Sequence, residues 1–483
     1  MTPKVGETEY GQVVIQYDMM IMLGGLRQVC PIFVQGGKRM RDMTVGQPRQ
    51  HLWRHALPLL LGNWMQLSYN AVDSIIAGRF IGKEALAAEG IAAPVMNLVI
   101  LAISGVCIGA GVLMSEAFGA KDRDKFRRVL ANTVLSGLIV CCLIAGLGMV
   151  LTPQILQGLE VPQQIHAITV TYLRITFLGA PFTFCYNALS AGLKSVGDAK
   201  TPLKFLAFSS ILNAVLDLVF LGLLGFGILC SAATTVFAEA VSAALAIRYM
   251  SKRTPELIPR EHQWQLDSAI TRKLLLYGGP TALQQAIQPV CKVLIQGQVN
   301  ALGVTAIAAY NAVTRVDDFA CIPEQSISSA ISTYIAQNRG AKKPERIRPG
   351  FRQGMTLEFC YWIFIGVTVM LLRAPIVSLF VTGEGAAEVV ALGREYLGWM
   401  AIFYLFPAMT NGLQGFYRGM GKMYTTVIGT FLQAATRAVC AAILAPKFGI
   451  VGIAFSCAIG WSLMLLFEVP YYVMTCKKKQ LEG

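Results

Sequence analysis

Twelve apolar stretches, each long enough to cross a hydrocarbon core about 30 Å thick as a helix, constrain this chain more than any other feature. They lie at 54–77, 88–113, 129–151, 166–191, 203–223 and 228–249, and then at 270–299, 304–336, 353–373, 387–413, 423–445 and 449–475. In hydrocarbon every backbone N–H and C=O needs a partner inside the protein, and a helix supplies them within each segment. Composition agrees, because charged residues are only 14% of the chain where a soluble domain carries about a quarter. Pro58, Pro94, Pro181, Pro280, Pro289, Pro323 and Pro407 fall inside spans. Each removes a helix hydrogen bond, so these spans belong in a bundle around a cavity, where neighbours or water satisfy the freed groups.

Charge orients the spans. Loops after even-numbered spans are basic: Lys121, Arg123, Lys125, Arg127 and Arg128, then Lys194, Lys200 and Lys204, then Arg248 through Lys273. Arg339 to Arg352, Arg418 with Lys422, and Lys477 to Lys479 continue the series, whereas the other loops offer little beyond Arg79, Lys83, Arg373 and Lys447. Lys and Arg accumulate on the cytoplasmic side of a membrane, so both termini are expected there. The net charge of +14 is thus a topology signal; its dispersal over short loops argues against nucleic-acid binding. Twelve cysteines show no metal spacing and read as small buried apolar residues. His51 and His55 are one helical turn apart without a third ligand, and read as interfacial residues.

The two sets of six spans are related. Gly82, Ala85, Ala87 and Ala88 recur as Gly303, Ala306, Ala308 and Ala309, and Gly119-Ala120-Lys121 recurs as Gly340-Ala341-Lys342. Tyr172-Leu173 matches Tyr396-Leu397, Asn187 matches Asn411, and Lys194 aligns with Arg418. A repeat of six helices in one orientation implies lobes related by an axis along the membrane normal. The expected fold class is all-α integral membrane, with twelve transmembrane helices in two homologous six-helix lobes around a central cavity. The expected organisation is an amino-terminal lobe at 46–250, a cytoplasmic linker at 251–268, a carboxyl-terminal lobe at 269–476 and a short tail at 477–483. Residues 1–45 do not conform: Val13 to Leu23 is too short to span. That segment is expected to be disordered or a start-site artefact, with the folded protein beginning near Met43.

Several spaced motifs resemble the MATE (multidrug and toxic compound extrusion) family. They are Glu116-Ala117-Phe118-Gly119-Ala120-Lys121, the run from Leu189 to Pro202, Asn213-Ala214-Val215-Leu216-Asp217, and Ala336-Gln337-Asn338-Arg339-Gly340-Ala341. The resemblance covers both lobes, roughly residues 50 to 475. It implies a bacterial-type exporter in the cytoplasmic membrane that moves amphipathic, often cationic, compounds in exchange for H⁺ or Na⁺. It implies no cofactor, and small organic substrates and the bilayer are the expected partners of a monomer.

Charged groups inside apolar spans are costly and mark candidate sites. Asp73 lies in the second half of span one, and Asp217 lies in span five with Asn213 one turn before it on the same face. A carboxylate beside an amide can hold a proton or ligate Na⁺ through oxygens. The resemblance places a cation site at Asp73, Asn213, Asp217 and Thr235, although Ala232-Ala233-Thr234-Thr235 departs from the family's small-residue run. In the carboxyl-terminal lobe, span seven offers Gln284, Gln285, Gln288 and Lys292 where sodium-type members carry a glutamate, so coupling there is not expected. Lys292 needs an acidic partner, with Asp317, Asp318 and Glu324 as candidates. Promiscuous pockets favour Met, aromatics and a few polar groups. Met65, Gln66, Tyr69, Phe182, Tyr186, Glu239, Gln288, Lys292 and Phe319 are the candidate cavity residues.

Three other functions stand beside export: a flippase for a lipid-linked saccharide, a non-transporting membrane scaffold, and a membrane enzyme. The flippase calls for a cavity lined with more basic residues than Lys292 alone. The scaffold has no use for the Asp217–Asn213 pair. The enzyme lacks any nucleotide loop or nucleophile–base arrangement.

Overall fold

The structure, a computed structural model, describes residues 40–80, 83–381 and 385–477; the side chains of residues 69–80 and 83–86 are outside the described residues. Its helices are α1 (Pro48–Phe80), α2 (Lys83–Gly119), α3 (Arg123–Gly158), α4 (Gln163–Ser195), α5 (Lys200–Asp217) and α6 (Ile228–Arg253). Then follow α7 (Ser268–Asn300), α8 (Val304–Gly340), α9 (Pro344–Ser378) and a bent pair, α10a (Ala386–Phe403) and α10b (Leu405–Gly419). The continuous segment Met423–Lys477 holds two helices, α11 and α12, which meet at Gly449. Gly449 has φ 58°, a left-handed turn that costs glycine little.

These are the twelve expected spans. Hydropathy alone selects fewer: among the described residues seven helices are long and apolar enough to cross a membrane, or eight with the bent pair taken as one. The helices α7 and α8 fall short because their polar residues face a cavity, where a polar side chain escapes the cost it meets in lipid. The 41° bend between α10a and α10b lies just ahead of Pro407, which has no N–H to bond the Phe403 carbonyl four residues earlier. Between α6 and α7 the linker makes two short 3₁₀ turns, Pro255–Leu257 and Glu261–Gln263. Asn132 of α3 bonds it through Gln265 and Asp267, at 3.0 and 2.9 Å.

Each lobe has its own apolar core. Met114, Phe126, Leu130, Phe184 and Leu193 centre the first; Ile295, Val313, Tyr396, Met400 and Ile453 centre the second. Lipid tails are as apolar as leucine, so close packing has to hold such helices together, and small residues permit it. Gly137 receives the Phe184 ring, and Gly350 the Tyr334 ring.

The lobes meet along α2, α7 and α8 at the end that carries the basic loops. There Gly105 faces the Ala282 backbone, Gly109 faces Tyr277 and Gly278, Gly119 faces the Gln337 carbonyl and Gly340 faces the Glu116 carbonyl. Glu116 then pairs with Arg339 across the seam and with Lys125 at 3.1 Å. Burial pushes the Glu116 carboxyl upward, but the Arg339 and Lys125 charges outweigh it and hold it below the ordinary carboxylate value.

Residues 40–46 belong to this seam, which corrects the expectation that residues 1–45 stay outside the fold. Arg41 N–H donates to the Val196 carbonyl of the first lobe at 2.8 Å, and Met43 N–H donates to Gln337 Oε1 of the second at 2.9 Å. The Gln337 amide returns to the Ser195 carbonyl at 2.7 Å, and Arg346 donates to the Gly46 carbonyl at 2.7 Å. Met43, 1% exposed, fills a gap among α1, α8 and α9 residues. Residues 1–39 are outside the described residues. His55 is buried rather than interfacial, and His51 meets the Val45 carbonyl at 2.6 Å.

Candidate functional site

Asp217 is the last residue of α5, at the point where the helix widens into a π turn, Leu218–Leu223. Such turns recur at functional sites because they re-aim a side chain inside a helix. Asp217 is fully buried, Asn213 lies one turn before it at 1% exposure, and both face α6. Thr234 donates its hydroxyl to Asp217 Oδ1. The Asn213 amide donates to Thr235 Oγ1 at 3.2 Å and approaches Thr234 Oγ1 at 3.4 Å. Three of the four expected cation-site residues therefore converge, with Thr234 as an addition that sequence reasoning missed. The side chains of Asp73 and Tyr69 are outside the described residues. Among the described residues no group of three His, Cys, Asp or Glu side chains is arranged to hold a metal ion.

A cavity of about 510 Å³ lies between the lobes. Leu59 and Asn63 of α1, Ser115 of α2 and Lys194 and Ser195 of α4 supply one side. Residues of α7, α8, α10b and α11 supply the other. On α7, Gln284, Gln288 and Lys292 recur every fourth residue and so form one stripe. Gln284 donates to Gln414 Oε1 at 2.9 Å and to Thr430 Oγ1 at 3.1 Å, and Gln288 donates to Gln433 Oε1 at 3.2 Å. Lys292 finds its partner in Asp318, at 2.8 Å, with both side chains about half exposed. Asp317 instead accepts a hydrogen bond from Tyr404, and Glu324 is fully buried.

The wall is polar. Six glutamines line it, together with four cations (Lys194, Lys292, Arg418 and Arg437) and two carboxylates, Asp317 and Asp318. Lys194 and Arg418, the aligned pair of the internal repeat, both lie in it. Of the expected cavity residues, Gln288 and Lys292 are in the wall; Met65, Gln66, Phe182, Tyr186, Glu239 and Phe319 are outside its described lining. Phe182 and Phe319 are 40% and 50% exposed elsewhere on the surface. Tyr186 donates to the Pro202 carbonyl at 2.9 Å and so turns toward α5, while Glu239 lies against Gly179 and Thr183 of α4.

Known proteins resemble this chain in sequence and in fold. The chain is 29% identical over 392 residues to the probable multidrug resistance protein YpnP of Bacillus subtilis strain 168, covering 80% of this chain and 86% of that one. It is 27% identical over 460 residues to the probable multidrug resistance protein YoeA of the same strain, covering 91% and 97%. A solved transporter of the MOP superfamily from Pyrococcus furiosus, described as having a binding pocket of reverse polarity, shares the fold. Its TM-score is 0.84 at 19% identity, over 93% of this chain and 100% of that chain. The MatE family model matches twice, at residues 58–219 and 280–443. Those two matches fall one on each lobe and in the same order, as the internal repeat requires, and the chain therefore belongs to the MatE family of multidrug and toxic compound extrusion transporters.

Proposed function

We propose that the protein is a secondary active exporter that moves small organic substrates by alternating access of its lobes, driven by H⁺ or Na⁺ bound in the amino-terminal lobe. One observation carries this reading: a cavity between the lobes, with charged and amide groups in its wall, coexists with a separate, fully buried carboxylate, Asp217, inside one lobe. A charge buried at that depth is retained for a task. With the basic loops on the cytoplasmic side, the glycine seam and the 40–46 staple close the inner end, and the cavity belongs to an outward-open state. Cation binding at Asp217 and substrate binding in the cavity then favour opposite lobe arrangements, and each lowers the affinity for the other by the same factor. One elementary charge crossing 100 mV supplies about 2.3 kcal/mol, which bounds the substrate gradient a single ion sustains.

Asp317 gives a cationic substrate a partner, Asp318 being paired with Lys292, and the glutamines supply hydrogen bonds to varied polar groups. The cytoplasmic membrane is the proposed location and a monomer the proposed working unit. The test is efflux of a fluorescent organic cation from inverted vesicles under an imposed pH gradient and, separately, an imposed Na⁺ gradient. Accumulation driven by either one supports the exporter; none under both contradicts it.

A second reading is favoured by the lining itself. Lys194, Lys292, Arg418 and Arg437 provide the basic wall that a flippase for a lipid-linked saccharide requires. Translocation of a labelled polyprenyl-phosphate saccharide between leaflets, with no efflux of the organic cation, selects it.

A further inference from the structure

The carboxyl-terminal lobe buries a pair of carboxyl groups that the amino-terminal cation site does not use. Glu324, in the middle of α8, is 0% exposed and Glu358 of α9 is 1% exposed. The Asn411 amide of α10b points at Glu324 Oε2 from 3.5 Å. The other Glu324 oxygen and both Glu358 oxygens meet no hydrogen-bond partner. Glu358 lies beside Gly412 of α10b, the residue that follows Asn411, so the two glutamates of α8 and α9 bracket the same turn of that helix.

The surrounding titratable groups supply no counter-charge. Tyr361 of α9 donates its hydroxyl to the Ala320 carbonyl at 2.8 Å, and Cys321 of α8 faces Glu324. Lys292 is held by Asp318 at 2.8 Å, and Asp317 takes the Tyr404 hydroxyl. Arg418 donates to Ser328 at 2.7 Å and directs its charge at Glu468 of α12. Among the described residues no cationic side chain neutralises Glu324 or Glu358.

Two neighbouring carboxylates, fully buried and with no cationic partner among the described residues, cannot both stay ionised. Protonation removes the charge and converts an acceptor oxygen into a donor that the second carboxyl can accept. Sodium asks for several oxygen ligands, and Asn411, the polar group aimed at Glu324, presents N–H rather than oxygen. We propose that Glu324 and Glu358 form a second proton-binding site, held in the carboxyl-terminal lobe and reached from the central cavity through Asn411, which lines that cavity.

As a proton site the pair stands apart from the exporter reading; any part it takes in driving export rests on that reading. The test uses the full-length chain in proteoliposomes and follows the infrared C=O stretch of protonated carboxyls as pH is varied. The wild type is expected to show a buried carboxylic-acid band that titrates. The band weakens in Glu324→Gln and in Glu358→Gln, and loses the pair's contribution in the double variant. Asn411→Leu is expected to keep the band and slow its exchange with deuterated water. Glutamine matches the shape of the neutral acid, and thermal melting checks that the variants fold. Should they not, the wild-type titration still decides, because the absence of any protonated carboxyl at neutral pH overturns the site. A band unchanged in a folded double variant, or one that follows Na⁺ rather than pH, overturns it as well. Failure of efflux in wild-type vesicles bears on the exporter reading alone.

Discussion

Asp217 and its neighbours show how a few side chains set the chemistry. The carboxylate takes a hydroxyl from Thr234, whose oxygen also lies 2.8 Å from the Ser231 carbonyl, and the Asn213 amide closes the group through Thr235. Removing one partner of a buried polar group costs about 1–3 kcal/mol. Thr234→Val is therefore expected to lower the melting temperature and slow ion-driven efflux, while Thr234→Ser keeps both near wild type. Equal behaviour of the two variants in melting and flux assays counts against a role for the hydroxyl. Asp217 and Asn213 are legible in the sequence, since a charge in an apolar span and its i,i+4 amide need no tertiary information. Thr234 is not, because choosing between adjacent threonines requires the rotation of α6. The same missing rotation misplaces Phe182, Tyr186 and Phe319, whose helices turn those faces away from the cavity. Glu358 stands in plain view in span nine, but its meaning depends on facing Glu324 across two helices.

At the scale of elements, the seam between α2 and α8 decides which end of the molecule is closed. A Cβ on Gly119 would overlap the Gln337 carbonyl, so Gly119→Leu is expected to push the lobes apart at the basic-loop end. A reporter cysteine at Ser332, buried in the wild type, should then react with a membrane-impermeant thiol reagent added from that side; continued protection contradicts the seam. Deleting residues 40–46 is expected to act in the same direction, because it removes the Met43–Gln337 and Arg41–Val196 hydrogen bonds. Glu116 gives the seam a pH dependence of known sign. Its folded-state carboxyl is held low, so its contribution is present above the unfolded value, about 4.3, and is lost as pH falls through the folded value. Reporter labelling, taken relative to that of a free exposed thiol at the same pH, should stay flat from roughly pH 5 to 8 and rise only in stronger acid. Glu116→Gln should raise it throughout. The apolar stretches make the spans legible from sequence. The staple is not legible, because Met43 acquires meaning only from the gap it fills.

The whole molecule consists of two related lobes with unlike interiors. Repeat motifs such as Gly119-Ala120-Lys121 and Gly340-Ala341-Lys342 pair the halves at the level of sequence, and the fold gives the reason: they sit at helix ends that meet across the seam. What the lobes hold inside differs: Asp217 between α5 and α6 in one, and Glu324 with Glu358 between α8 and α9 in the other. In the proposed exporter that asymmetry separates the driving ion from the substrate in space and leaves the lobe motion to connect them. The most direct test is flux in proteoliposomes carrying wild-type protein or Asp217→Asn under the same imposed ion gradient, with substrate binding measured alongside. The account predicts that Asp217→Asn folds and still binds substrate but loses gradient-driven transport; transport at the wild-type rate would contradict it.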